Sequence, residues 1–306
     1  MKTTEQELCR HLKRNGYQAR LVPIDHLSDL SEAIATHHAL GAFDEEFFQE
    51  QLTGLSFRPP DELASVRSLI IAALPAPQVR VVFAWKERRL RLILPPTYVR
   101  YRATLKRVEN EVAAFLEPRG FRVAQTALPL KLLAVRSGLA SYGKNNICFV
   151  PGMGSFLQLA GCYSDLPCSG DSWRELEMMF RCEKCQACLR ACPTGAITRD
   201  RFLLHAERCL TFHNERAAAF PAWIDPSWHH CLVGCMQCQQ VCPENKAFLP
   251  WVVEGEQFTE EETGLLLQGP EVDELPEKTR AKVRNLGLSE GWAVLSRNLA
   301  TILERL

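Results

Sequence analysis

The chain has 306 residues, 46% of them hydrophobic, a globular composition long enough for about two domains with buried cores. Lys plus Arg and Asp plus Glu both number 36, so no global basic field gathers nucleic acid by charge alone. The longest apolar runs, such as Ser68 to Leu74, are too short to cross a bilayer, and the amino-terminal stretch lacks an apolar signal core, so the expected setting is soluble and cytoplasmic.

The first segment, "MKTTEQELCRHLKRNGYQ", predicts an amphipathic helix with Thr4 and Glu7 spaced as a capping box and Gly16 placed to end it. "SLIIAAL" (68–74) predicts a buried strand. "VRVVFAW" and "LRLIL", separated by the charged turn Lys86 to Arg89, predict a hairpin that joins it in a sheet. From Tyr98 onward Tyr101, Leu105, Val108, Val112, Phe115 and Leu116 recur at helical spacing, and Gly120 stands where a carboxy-terminal cap is wanted. "FRVAQ" reads as another strand, and Pro129 opens a helix over "PLKLLAVRSGLA".

After Pro167 cysteines crowd in and strands fade, while the tail from Phe258 to Leu306 reads as one or two packed helical hairpins. The expected organisation is an α/β domain over 1–167 with a mixed sheet and covering helices, a ferredoxin-like domain over 168–255, and a short helical tail over 256–306 that packs on the body.

Thirteen cysteines in a reducing compartment argue for metal rather than disulfides. Cys182, Cys185, Cys188 and Cys192 form C-x2-C-x2-C-x3-C-P, the bacterial ferredoxin spacing for a 4Fe-4S cluster. In two-cluster ferredoxins the fourth cysteine ligates the other cluster, so the motif predicts a partner set downstream. "GCMQCQQVCPEN" supplies it with Cys235, Cys238 and Cys242, again with Pro after the last.

Crossing the sets gives one cluster held by Cys182, Cys185, Cys188 and Cys242, and a second held by Cys192, Cys209, Cys235 and Cys238. Spacing prefers Cys209 as the eighth ligand but leaves Cys231 open. The competing reading is a pair of four-cysteine zinc sites, which more commonly arrange their ligands in pairs. Cys9, Cys148, Cys162, Cys168 and Cys231 are left over and read as small buried hydrophobes.

The stretch "VRSGLASYGKNNICFVPGMGSFLQLAGCYSDLPC", followed by the cysteine run, "CLTFHNE" and "GCMQCQQVCPENK", resembles the epoxyqueuosine reductases and, more distantly, the reductive dehalogenases. The resemblance spans about 68–250. It implies an iron-sulfur reductase in which electrons pass through two 4Fe-4S clusters to a base-off cobalamin in the α/β domain, which reduces an electrophilic substrate. It further implies that Tyr142, Gly143, Lys144 and Asn145, with Gly154, Ser155 and Phe156, lie against the corrin, with Ser137 and Arg102 among the cofactor-binding residues.

Three departures bear on the substrate. The family's Asp-Thr-Gly-Pro stretch appears here as "VAQTALPL", so Ala124 or Gln125 stands where the proton-donating Asp is expected. The Asp-Tyr-His element appears as "RYR", with Arg102 in place of His, and the helical-repeat tail used for tRNA is shortened to about fifty residues. Tyr142, beside the cationic Lys144, is the replacement proton donor the resemblance suggests.

His229 and His230 in "WIDPSWHHC" read as part of an aromatic lid over the clusters rather than a shared metal site, since neighbouring side chains point apart. "KERRLR" and the run Arg100, Arg102, Lys106, Arg107 read as solvated faces before they read as a tRNA patch. The expected partners are a low-potential electron donor such as ferredoxin or flavodoxin and a small-molecule substrate or modified tRNA, with no membrane. An electron-transfer or corrinoid-handling protein without substrate chemistry of its own is the alternative.

Overall fold

The computed structural model describes residues 2–305 except Ala64, Glu290 and Gly291. Among the described residues nine strands follow in chain order: β1 (Gln18–Pro23), β2 (Ser68–Pro75), β3 (Gln78–Trp85), β4 (Arg88–Leu94), β5 (Val123–Gln125), β6 (Ser141–Tyr142), β7 (Cys148–Phe149), β8 (Leu157–Ser164) and β9 (Val252–Phe258). The chain forms two compact units, each discontinuous in sequence. One comprises Met1–Pro75, Ala103–Gln186 and Arg201–Leu203, the other Ala76–Arg102, Ala187–Asp200 and Leu204–Leu306. These limits do not coincide with boundaries at 167 and 255, because the β3–β4 hairpin packs with the carboxy-terminal third of the chain.

In the first unit the sheet runs β1-β2-β8-β5, with every pair antiparallel. Side chains alternate across a strand, so β2 divides its apolar run between two cores. Leu69, Ile71 and Ala73 join Leu132, Leu133 and Tyr163 on one face, while Ile70, Ala72 and Leu74 join Leu8, Leu12, Val108 and Val112 on the other. A strand buried on both faces reads as a continuous apolar run, which is how "SLIIAAL" reads. Each buried Leu or Ile contributes about 1.5–3 kcal/mol, so this three-layer arrangement is a stable platform for the loops between β6 and β8.

The first helix, Thr4–Arg14, is capped one residue earlier than Thr4 and Glu7 suggest. The Thr3 hydroxyl accepts the Gln6 amide at 3.3 Å and the Gln6 side chain accepts the Thr3 amide at 3.4 Å. Gln at the third position closes the box as well as Glu does.

In the second unit the sheet runs β4-β3-β9, with β3 antiparallel to β4 and parallel to β9. The hairpin forms as its sequence predicts, turning at Lys86 and Glu87, both with positive φ (47° and 62°), as a two-residue turn matched to strand twist requires. It does not extend the sheet of β2, because Pro75 and Pro77 flank the connection and interrupt the ladder. Val81, Phe83, Leu92 and Leu94 pack against Leu266, Val283, Leu286, Leu295 and Leu299 from the Glu260–Leu267, Glu277–Leu286 and Trp292–Leu303 helices. The tail thus forms helices as expected, although Glu290, Gly291 and Leu306 of its last run lie outside the described residues. Among the described residues no helix is long and apolar enough to cross a membrane.

Candidate functional site

The cysteine-bearing segments fold as short helices joined by turns. In the second unit the Ala187–Ala191 helix packs on the Gln237–Gln240 helix. Each is followed closely by a cysteine and a proline, Cys192–Pro193 and Cys242–Pro243, and proline fixes φ and ends the turn. The Cys192 amide donates to the Cys188 carbonyl at 3.0 Å and the Cys242 amide to the Gln239 carbonyl at 3.3 Å.

Cys192, Cys209 and Cys235 stand within electrostatic reach of one another. Burial pushes the Cys235 thiol up to about 12, and the charges of Cys209 and Cys192 add to the shift. Burial raises Cys209 too, and Cys192 adds to it, while the polar groups of Thr211 and Phe212 at the start of the Leu210–Glu215 helix, where the Phe212 amide donates to the Cys209 carbonyl at 3.0 Å, pull the other way. Thiolates crowded in a low-dielectric setting repel and hold their protons unless a cationic centre joins them, so this donor set fits a metal cluster.

Cys231 is 1% exposed. Burial, then Cys235, pushes its thiol up, and it interacts with Cys235 without a link to Cys192 or Cys209. None of the thirteen cysteines is joined in a disulfide. Among the described residues no three His, Cys, Asp or Glu side chains converge on a site the size of one ion.

In the first unit the "YGKN" turn braces the approach to the cysteine run. Tyr142 bridges in parallel to Met178, its carbonyl accepts the Met179 amide at 2.8 Å, and the Met179 carbonyl accepts the Cys182 amide at 2.8 Å. Lys144 Nζ donates to the Cys185 carbonyl at 3.4 Å. Sequence reasoning assigned Tyr142 and Lys144 to the corrin and missed this bracing, because bonds to a backbone carbonyl leave no residue-type signature.

The other residues implied by the resemblance are mostly turned into this unit. Ser137 is fully buried and donates to the Ala134 carbonyl at 3.1 Å. Ser155 and Phe156 are buried, and Gly154 (φ 57°) accepts the Val150 amide. A β-carbon on Gly143 would stand 2.6 Å from Asn145 Oδ1 and 2.7 Å from Phe149 Cε2, so that glycine is required by its own loop. Tyr142 is also buried, edge-on to Phe202 with ring centres 5.3 Å apart, and burial followed by Cys148 raises its hydroxyl well above the usual tyrosine range.

Asn145 differs from these. It is 2% exposed, its Oδ1 accepts the Ile147 amide at 3.3 Å, and its Nδ2 has no partner among the described residues. A buried amide donor left unpaired costs about 1–3 kcal/mol, so this atom fits an acceptor brought by a bound group, such as the propionamide rim of a corrin. Arg102 lies in the second unit, exposed at the start of the Tyr101–Leu116 helix.

At the position where a carboxylic acid is expected, Gln125 donates to Glu109 Oε2 at 2.7 Å, so a carboxylate stands beside it from the Tyr101–Leu116 helix. His229 is 1% exposed against Phe220, whereas His230 shares Nδ1 contacts with the Trp228 carbonyl and Gln237, so the two rings serve different surroundings.

The cysteine spacing defines the class of this segment: residues 181–245 match the family model described as a 4Fe-4S double cluster binding domain. The chain's relatives are epoxyqueuosine reductases. The chain is 32% identical over 152 residues to the one from Pseudomonas aeruginosa, covering 49% of this chain and 41% of that one. It is 36% identical over 135 residues to the one from a Synechococcus strain, covering 43% and 40%. A crystal structure of epoxyqueuosine reductase with an epoxyqueuosine-modified tRNA-Tyr stem loop superposes with a TM-score of 0.69 at 22% identity, covering 97% of this chain and 80% of that one. The fold is therefore shared along nearly the whole chain, while in sequence the chain spans about two fifths of the length of these curated relatives.

Proposed function

We propose that the chain is an iron-sulfur oxidoreductase of the epoxyqueuosine reductase kind. The two cysteine motifs, lying within residues 181–245 that match a 4Fe-4S double cluster binding domain, carry the reading. In it, Cys182, Cys185, Cys188 and Cys242 hold one 4Fe-4S cluster and Cys192, Cys209, Cys235 and Cys238 the other, following the crossed ligation of two-cluster ferredoxins. Lys144 and Asn145 would hold the polar rim of a cobalamin, which when bound supplies a strongly reducing metal centre for an electrophilic substrate. Tyr142 is the proton source in this reading, although burial and then Cys148 raise its hydroxyl and make it a weaker acid, and Lys144 Nζ is turned to the Cys185 carbonyl. The relative solved with a modified tRNA stem loop supports an epoxide on a tRNA base as the substrate.

A second reading, electron transfer without substrate chemistry, is favoured by one observation: with Ala124 or Gln125 in the expected place, "VAQTALPL" carries no carboxylic acid. Anaerobic purification separates the two. About eight iron and eight sulfide per chain are expected, together with retention of added cobalamin in its base-off form and conversion of an epoxyqueuosine-containing stem loop. Iron without cobalamin retention supports electron transfer alone, and stoichiometric zinc in place of iron defeats both.

A further inference from the structure

In the second unit an open groove of about 410 Å³ lies between β4 and the two cysteine-bearing helices. Its floor includes Ala191, Gln237 and Val241, which neighbour Cys192, Cys238 and Cys242 in the chain. Adjacent Cα atoms are about 3.8 Å apart, so the groove opens the surface onto cluster ligands. Arg91 and Ile93 form the β4 wall and His230 lines the far side. Arg89, Arg91 and Ile93 share the outer face of β4, since side chains alternate along a strand and Leu90, Leu92 and Leu94 pack against the core.

The groove carries one sign of charge. Arg91 is exposed with no carboxylate partner among the described residues, Arg88 and Arg89 continue the strand, and Arg190 is exposed one residue before Ala191. No carboxylate lines it, in a chain whose total charges balance. Val241, an apolar side chain, is 43% exposed there. An exposed apolar side chain beside Arg91, with Arg89 on the same strand face, Arg190 next to Ala191 and no carboxylate in the lining, is the complement of an acidic protein surface. Nucleic acid is the poorer match, because a single arginine lines the groove and no tryptophan, tyrosine or phenylalanine is present for a base to stack upon.

We propose that this groove docks an acidic electron-carrier protein and is where electrons enter the chain, an inference that rests on the two-cluster reading. In each encounter one electron leaves the reduced centre of the carrier and enters the nearer cluster. The carrier is oxidised by one electron and no bond is made or broken.

The test uses the anaerobically purified chain with flavodoxin and with a 2Fe-2S ferredoxin as probes. Binding of either oxidised carrier, by calorimetry, and the bleaching rate on mixing with the reduced carrier are both measured. Arg91→Glu is expected to weaken binding and slow reduction at least about tenfold at low salt, and raising the salt should weaken binding of the unaltered chain. Arg14→Glu, which changes net charge equally on a helix of the other unit, should leave both unchanged, and reduction by photoreduced deazaflavin, a small donor, should be the same in all three proteins. Equal effects of the two substitutions, no binding of either carrier to a chain that holds its iron, or loss of RNA stem-loop binding rather than carrier binding in Arg91→Glu would each overturn the proposal. A chain that assembles no clusters is recognised beforehand by its iron content, and that result counts against the two-cluster reading itself.

Discussion

Spacing prefers Cys209 as the eighth ligand but leaves Cys231 open, and their surroundings differ. Burial raises both thiols, but Cys209 interacts with Cys192 and has the polar groups of Thr211 and Phe212 beside it, whereas Cys231 is 1% exposed, interacts with Cys235 and has the Met236 amide to offset burial. Donors directed at a sulfur stabilise it as a thiolate ligand, and burial in apolar surroundings does the reverse. Cys209→Ser is therefore expected to lose about half of the iron, the share of one of two 4Fe-4S clusters, and Cys231→Ser to keep nearly all of it, by iron and sulfide analysis of anaerobic protein. Iron loss in Cys231→Ser with retention in Cys209→Ser would exchange their roles. The sequence supplied the eight cysteines because thiol spacing is a local pattern. It could not supply the role of Thr211, whose amide and hydroxyl matter only once the Leu210–Glu215 helix begins at Cys209.

Among the elements, those with strict periodicity were legible: the run 68–74, the hairpin about Lys86 and Glu87, and the helix from Tyr101. β9 was not, because "VVEGEQF" alternates weakly and carries a glycine, and its pairing with β3 lies about 170 residues away in sequence. The glycine was the available signal, since an isolated glycine within a strand marks a close backbone approach. A β-carbon on Gly255 would stand 2.5 Å from Val79 Cγ1 and 3.0 Å from the Arg80 carbonyl, where the β3–β9 register shifts. Gly255→Ala is thus expected to destabilise the chain by about 1–3 kcal/mol through overpacking against backbone. Gly264→Ala, in the Glu260–Leu267 helix with its nearest atom 3.6 Å away at Trp85 Cζ3, should stabilise by up to about 1 kcal/mol. Urea midpoints measured side by side check both signs. Equal midpoints for Gly255→Ala and the unaltered chain would mean that β9 does not approach β3 as closely as this.

At the scale of the molecule, the carboxy-terminal helices do more than cover a core. From the Trp292–Leu303 helix, the buried Asn298 donates to the Asn214 carbonyl at 2.8 Å and to the Leu232 carbonyl at 2.9 Å, and Arg297 donates to the His213 carbonyl at 2.8 Å. Asn214 in turn donates to the Gly234 carbonyl at 2.8 Å. The segments carrying Cys209 and Cys235 are thereby pinned to one helix by buried hydrogen bonds, each of which leaves a carbonyl unsatisfied if its donor is removed. Asn298→Leu keeps the number and branching of side-chain heavy atoms but strips both donors, at a cost of about 1–3 kcal/mol for each carbonyl stranded. The expected result is selective: iron is released to a chelator faster from the cluster held by Cys192, Cys209, Cys235 and Cys238, while the other half of the iron leaves at the unaltered rate. Biphasic release in the variant, against a single slow phase in the unaltered chain, is the signature. Uniform acceleration of all the iron would mean that the helix stabilises the second unit as a whole rather than pinning one set of ligands.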